Sequence, residues 1–193
     1  MGFVIRTARG EDALAIAGVK NRSWQTAYAG IIDQGLLDAL SDVDVADQWA
    51  PTLEDPPDSW AAFVAEDVGP PAEIGAFVVC QTSRDDDIRE SAGPVGEIGV
   101  FYALPTWWGR GAGRALMDHA ECWLRGAGFK SATLWVLERN AKGRHFYDAA
   151  GWRPDGTTKV DTIGPDTVID LRYRKVLSSA VIADDKNPAV REG

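Results

Sequence analysis

Trp107-Trp108-Gly109-Arg110-Gly111-Ala112-Gly113-Arg114-Ala115-Leu116 is the stretch on which the reading of this chain turns. Glycine at 109, 111 and 113 leaves the backbone bare at alternate positions and open to conformations closed to other residues. An apolar-periodic run follows at once, through Leu116, Ala120, Trp123 and Leu124, so the glycines form a turn that feeds the start of a helix. A helix start leaves N–H groups unpaired and carries the positive end of the dipole, and together these receive an anion. A pyrophosphate is the anion that best suits this geometry. Taken alone, the glycines are a weak signal. The strand before them, 95–104, and the segment after them, 140–152, sharpen it.

The chain has 193 residues, 45% of them hydrophobic, enough for one domain with a core of its own. No apolar run reaches the ~18–20 residues needed to span a bilayer. The N-terminus, Met1-Gly2-Phe3-Val4-Ile5-Arg6, lacks the apolar stretch and cleavage site of a secretory signal. The expectation is a cytoplasmic protein with no membrane partner. Its 20 Lys and Arg against 29 Asp and Glu give a net charge of −9, the opposite of the basic face of a nucleic-acid binder. An acidic surface suits a cationic acceptor, and solubility alone also accounts for it. Cys80 and Cys122 are too few and too far apart for a disulfide scaffold or a zinc site. Both are expected as small buried hydrophobes, and no metal is expected.

Along the chain, Phe3 to Ala8 alternates as a first strand, and Asp12 to about Tyr28 carries a broad apolar helical side. Ile31–Leu40 and Val43–Leu53 read as helical pieces stopped by Pro51 and by Pro56-Pro57. Trp60–Ala65 and Ile74–Val79 are short, apolar, turn-bounded strands. Ser83 to Gly93, with Asp85-Asp86-Asp87, reads as a solvated hairpin connection, since no calcium-loop pattern surrounds it. After the strand 95–104 and the glycine turn, a helix runs to about Arg125, where Gly126 and Gly128 stop it. Ser131–Leu137 is a buried strand and Asn140–Ala150 a short helix. Trp152–Ile163 and Thr167–Val176, turned by Gly164-Pro165, are the last two strands. Helices bracketing a run of strands give a mixed α/β (α+β) sheet in one domain over 1–177, with a polar tail over 178–193.

Gly96-Glu97-Ile98-Gly99-Val100-Phe101-Tyr102-Ala103-Leu104-Pro105, then Trp108-x-x-Gly111-x-Gly113, then Leu134–Glu138 with Asn140, then Phe146-Tyr147 and Gly151-Trp152 follow in order. This series resembles the GNAT superfamily of acyl-CoA-dependent N-acetyltransferases. A looser likeness at the N-terminus, Ile5-Arg6, Asp12, Trp24 and Tyr28-x-Gly30, resembles members that modify small molecules or proteins. The family's turn pattern is Gln or Arg, two residues, Gly, one residue, then Gly or Ala; Trp108 stands where the Gln or Arg would be. The resemblance implies a mostly antiparallel central sheet of about seven strands flanked by about four helices. It also implies acetyl-CoA as co-substrate, and a homodimer, since such proteins are often dimers.

The chemistry of coenzyme A agrees with these residues. The amides of Arg110, Gly111, Ala112, Gly113 and Arg114 can hold its pyrophosphate at the helix start. Its pantetheine arm can pair along an exposed edge of strand 95–104 as if it were another strand, provided that strand's neighbour splays away. By resemblance, Asn140 fixes that arm; the residue also sits where an N-cap belongs. Arg110, Arg114, Lys142 and Arg144 are candidates for phosphate contact. Amine attack on a thioester needs a neutral amine and a protonated leaving sulfur, tasks for a carboxylate and a phenol.

Glu97 stands where several family members place a base glutamate; pairing with an arginine, or a hydrated strand end, would equally explain it. Strict alternation puts Glu97, Gly99 and Phe101 on one face and Ile98, Val100 and Tyr102 on the other. Tyr147 lies seven residues after Asn140, almost two helical turns, hence on nearly the same side. By resemblance it is the general acid for sulfur; the other reading is an aromatic that holds the helix to the sheet. Phe146 is expected in the core, and amides near Val100 and Phe101 are expected to bind the developing oxyanion. Gly143 replaces the family's usual Ala, with close approach of coenzyme A as a possible reason. Trp24, Tyr28 and Trp49 would wall the acceptor site, or pack the core.

Other chemistries fail. No Lys-Ser/Thr follows the glycines, so the turn is not a P-loop, and a dinucleotide fold would place its glycines after the first strand. His119 and His145 lack paired ligand spacing, and no Ser-His-Asp grouping stands out. The expected activity is direct acetyl transfer in a ternary complex. The acceptor is a small cationic amine (polyamine or amino-sugar antibiotic) or a protein amine. The alternative is a coenzyme-A-binding sensor without catalysis.

Overall fold

Ile74 to Cys80 is buried at every position, as only a strand covered on both faces can be. This strand, β3 (Ile74–Thr82), lies inside a seven-stranded sheet in a computed structural model that describes residues 2–88 and 93–177. The other strands are β1 (Phe3–Thr7), β2 (Ala61–Asp67), β4 (Val95–Ala103), β5 (Ser131–Leu137), β6 (Arg153–Ile163) and β7 (Asp166–Val176). Their order is β1-β2-β3-β4-β5-β7-β6, and every pairing is antiparallel except β4 with β5. The architecture is the expected mixed, mostly antiparallel sheet. Among the described residues five α-helices accompany it where about four were expected: α1 (Ala13–Ala27), α2 (Gln34–Asp38), α3 (Asp42–Glu54), α4 (Ala112–Gly126) and α5 (Ala141–Ala149). The tail over 178–193, and residues 89–92 of the Ser83–Gly93 loop, lie outside the described residues.

The helices divide between the two faces, and side-chain contacts say which. Trp49 of α3 meets Phe77 edge-on at 5.5 Å between ring centroids. On the opposite face, a Cβ at Gly96 would lie 2.7 Å from Leu124 of α4. Phe101 stacks on Phe146 of α5 at 5.2 Å. So α1 and α3 cover one face, and α4 and α5 the other. A buried ion pair fastens the second layer. The Glu121 carboxylate, on α4, accepts from Lys175 Nζ at 2.7 and 2.8 Å and from Trp152 Nε1 at 3.0 Å.

The structure corrects several local expectations. α3 continues through Pro51 to Glu54, and Asp55 N still donates to Pro51 O at 3.1 Å; the proline costs the ladder one donor, while Ala46 and Leu53 are buried beneath the helix. The Asp85–Asp87 run is not simply solvated. Asp85 and Asp87, with Asp155, converge on the buried guanidinium of Arg172 at 3.4, 2.7 and 2.7 Å. Cys80 is buried, and burial pushes its thiol up to about 12; Cys122 is exposed on α4 instead of packed. Among the described residues no helix is long and apolar enough to cross a membrane. Nor does any group of three or more His, Cys, Asp or Glu among them stand ready to hold a metal ion.

β4 contains an extra residue. Its pairing with β3 steps from Cys80↔Ile98 to Val79↔Val100, which leaves Gly99 opposite nothing. Such a bulge shifts the alternation by one. Glu97, Val100 and Tyr102 therefore share the α1/α3 face, while Ile98 and Phe101 share the α4/α5 face. The strict alternation expected from the sequence, with Glu97 beside Phe101, does not survive the bulge.

Candidate active site

β4 stays paired with β3 as far as Ala76↔Ala103, but with β5 only from Val95↔Ser131 to Ile98↔Leu134. Past Ile98 the two parallel strands part. The gap opens into a cleft of about 510 Å³ that passes between β4 and α5, from the glycine turn to the end of α1.

Parity decides which backbone groups face this gap. Leu104 N donates to Gly75 O of β3 at 2.8 Å, so the residue before it, Ala103, points the other way. Ala103 O accordingly accepts from Ser23 Oγ and from Trp108 Nε1, both at 3.0 Å. Counting back two residues, Phe101 also turns its N–H and C=O into the gap. The same count turns the amide of Val100 toward β3. Val100 borders the cleft, but of the two amides expected to face a reacting carbonyl, Phe101 is the one so aimed.

The glycine turn has the expected form. Gly109 and Gly111 have φ of +74° and +83°, a region that favours glycine. A Cβ on either would meet nothing within 4 Å, so the space above the turn is open. Gly111 is the N-cap of α4, and the first ladder bond runs from Ala115 N to Gly111 O at 3.0 Å. The amides of Ala112, Gly113 and Arg114 precede that ladder at the helix mouth. Gly113 has a packing role as well, since its Cβ would lie 3.5 Å from Phe146.

The basic candidates separate. Arg110 is exposed and does not border the cleft. Arg114 borders it, but donates to Asp118 Oδ1 at 3.0 Å and to Ala149 O at 3.1 Å, which ties α4 to the end of α5. Arg144 donates to Glu138 O at 2.9 Å, behind the cleft. Lys142 Nζ lies 3.7 Å from the centroid of the Trp108 ring. Trp108, the departure from the family's pattern, thus joins the end of β4 to the first turn of α5.

Asn140 caps α5, accepting from Gly143 N through Oδ1 at 2.9 Å, and it borders the cleft. The carboxamide N–H₂ is left over for another acceptor. A Cβ at Gly143 would lie 2.7 Å from Asn140 Nδ2, so the neighbouring cap itself accounts for this glycine. Tyr147, seven residues on, borders the same cleft. It is packed among Phe101, Phe146 and Tyr173 at 6.4, 5.4 and 6.2 Å. Burial, then the nearby Tyr102, pushes its phenol well above the ordinary value of 10.0. Phe146, expected in the core, is half-buried and lines the cleft, because the bulge turns Phe101 toward it.

Glu97 is not brought to this cleft. Its side chain is 2% exposed, and its carboxylate accepts from Arg84 Nη2 at 2.7 Å and from the Arg84 amide at 3.0 Å. Of the acceptor-side aromatics, Tyr28 borders the cleft. Trp24 stands behind it at 5.2 Å, edge to face. His145 also lines the cleft, whereas His119 lies against Phe63 at 4.6 Å.

Sequence reasoning missed Ser23, Trp135 and Arg84. Ser23 and Arg84 act on partners 80 and 13 residues away, and neither stands in a local pattern. The alternation of β5 could have suggested Trp135, which borders the cleft.

The comparisons agree with this geometry. The profile of the Acetyltransferase (GNAT) family matches residues 23–152. The chain is 32% identical over 137 residues to the uncharacterized N-acetyltransferase YuaI of Bacillus subtilis, covering 70% of this chain and 72% of that one. It is 27% identical over 156 residues to the probable N-acetyltransferase Rv2775 of Mycobacterium tuberculosis, covering 80% and 82%. Among solved structures, the PaiA N-acetyltransferase of Thermoplasma acidophilum in complex with coenzyme A has a similar fold. Its TM-score is 0.66 at 19% identity, over 91% of this chain and 99% of that one. YncA of Salmonella typhimurium with acetyl-CoA matches with a TM-score of 0.67 at 16% identity, over 96% and 99%. A splayed parallel pair, an open helix mouth beside it and a family profile spanning both lead to one conclusion: the chain belongs to the acetyltransferase (GNAT) family.

Proposed function

We propose that this protein transfers an acetyl group from acetyl-CoA to the nitrogen of a small amine, by direct attack within a ternary complex. The observation that carries this reading is the parting of β4 from β5 beyond Ile98↔Leu134, beside a turn whose glycines leave open space. The residues fit the co-substrate. Amides of Gly111 to Arg114 receive its pyrophosphate at the mouth of α4, and Lys142 lines the same cleft as a cation. The outward C=O of Phe101 and the N–H of Ala103 pair with the amides of the arm as an added strand would, which leaves the Phe101 N–H for the thioester carbonyl. Asn140 offers its free N–H₂ from the other wall.

Acetyl-CoA supplies an activated acyl group as a thioester. The amine nitrogen bonds to the acyl carbon and the carbon–sulfur bond breaks. Phe101 N–H stabilises charge on the carbonyl oxygen, a contribution often worth about 3 kcal/mol. Tyr147 protonates the departing sulfur. Its raised affinity for the proton is no obstacle, because the same apolar surroundings raise that of a thiolate. On the amine side, Glu97 is the carboxylate of this strand. Its carboxylate is held by Arg84 and lies off the cleft, so the amine's proton is released to water at the cleft mouth.

A polyamine or amino-sugar acceptor rests on the net charge of −9 and on Tyr28 and Trp24; the cavity described below supplies a narrower criterion. Two measurements test the activity. Acetyl-CoA at 100 times its dissociation constant should stabilise the fold by about 2.7 kcal/mol. Thiol release across an amine panel should then identify acceptors, and Tyr147→Phe should lower kcat by about 100-fold while acetyl-CoA still binds. Binding without thiol release for any amine would make the protein a coenzyme-A sensor. No binding would remove both readings.

A further inference from the structure

A second cavity, of about 330 Å³, lies on the other face of β4, under α3. Gly99 and Val100 border both it and the cleft. At its bulge β4 is therefore the partition between the two spaces, close to the Phe101 amide that faces the cleft.

The lining says what such an amine would carry. Trp49 and Trp60 supply two apolar aromatic surfaces, and Gln48 and Gln81 supply carboxamides. The lining residues include no carboxylate, and their one charged group is Arg84. One guanidinium nitrogen of Arg84 is pinned on buried Glu97 at 2.7 Å. Its Nε and Nη1 have no partner among the described residues, and its side chain is 71% exposed. Nη2 keeps a second hydrogen, and with Nη1 or Nε, neither of which has a partner among the described residues, it still forms a fork that can receive a second, planar anion. A polycation would find no counter-charge here.

Resting on the acetyl-transfer reading, we propose that this cavity takes the acceptor, and that the acceptor is a small amine which also carries a carboxylate. The carboxylate binds Arg84, the apolar body lies against Trp49 and Trp60, and the amine meets the acyl group at the Gly99–Val100 bulge. Glu97 is then a positioning residue, acting through Arg84. The volume of about 330 Å³ suits a molecule of amino-acid size.

The test is a panel of the standard L-amino acids. Alanine, methionine and phenylalanine are each matched with the amine that lacks the carboxylate: ethylamine, 3-(methylthio)propylamine and phenethylamine. Thiol release at saturating acetyl-CoA should give at least one amino acid a kcat/KM tenfold or more above its matched amine. Arg84→Met should erase that ratio through KM, Arg84→Lys should keep part of it, and neither should alter stabilisation by acetyl-CoA. A ratio near one in the wild type overturns the proposal. So does a ratio indifferent to Arg84→Met, or a polyamine acetylated far better than every amino acid. If no amine is turned over, calorimetry of the same pairs on coenzyme-A-loaded protein still decides. Tighter binding of the carboxylate member, lost in Arg84→Met, upholds the cavity while acetyl transfer fails, and equal or absent binding sinks it.

Discussion

Gly143 shows how one missing methyl group serves a site. A Cβ there would lie 2.7 Å from Asn140 Nδ2, pushing aside the carboxamide that both caps α5 and faces the cleft. Gly143→Ala should lose a cap worth about 1 kcal/mol and gain about 1 kcal/mol of helix propensity. Stability should therefore barely change, while affinity for acetyl-CoA falls several-fold; calorimetry that finds unchanged affinity contradicts the assignment. Tyr147 carries a second expectation. Its phenol is held well above 10.0 by burial and then by Tyr102, so it keeps its proton until the pH passes that raised value. The kcat profile should show no alkaline loss from this group below about pH 10, the ordinary tyrosine range, and a limb near pH 8 that disappears in Tyr147→Phe would refute this. That Asn140 and Tyr147 share a side of α5 was legible from their spacing, because a helix imposes it. Trp108 was visible only as a departure, because its meaning depends on Ala103 and Lys142, which meet it through the fold.

β4 teaches more than any other element. Its existence and direction follow from the run Val95 to Leu104, yet its function depends on Gly99, which pairs with nothing on β3. A bulge is a property of two strands together, so alternation along one of them could not reveal it. The consequence was the misplaced face of Glu97. The Asp85–Asp87 segment failed for a related reason. Its acids look solvated until β7 brings Arg172 beneath them, 85 to 87 residues away. Arg172 has 5% side-chain exposure, and its hydrogen bond to Asp87 leads the interactions that raise its pKa. Arg172→Met would leave Asp85, Asp87 and Asp155 facing one another without the guanidinium they share, with only the weaker attraction of Arg174 on Asp87. Because Asp87 is 58% exposed, the cost should fall near the low end for a broken buried pair, about 3 kcal/mol. Urea unfolding that shifts by less than about 1 kcal/mol, the scale of a surface pair, would show the cluster to be ornamental.

Taken whole, the sheet is a partition with one split in it. α4 and α5 present an open helix mouth on one side, α1 and α3 present aromatic walls on the other, and β4 parts from β5 between them. The order of the elements and the glycine turn announced this arrangement from the sequence, since each rests on local periodicity. The sequence named Trp49 for an acceptor wall, but not the cavity proposed for the acceptor, because Arg84, Trp49 and Trp60 belong to three separate segments that converge only when β2, β3 and α3 pack. The central claim is that the free edge of β4 and the mouth of α4 hold acetyl-CoA by backbone groups. Residue-resolved amide hydrogen exchange, with and without saturating acetyl-CoA, measures those groups themselves. The account predicts strong added protection at Phe101, Ala103 and Ala112 to Arg114, with little change at Val100 and Tyr102, whose amides already face β3. Protection that spares these amides, or that falls elsewhere on the sheet, would contradict it.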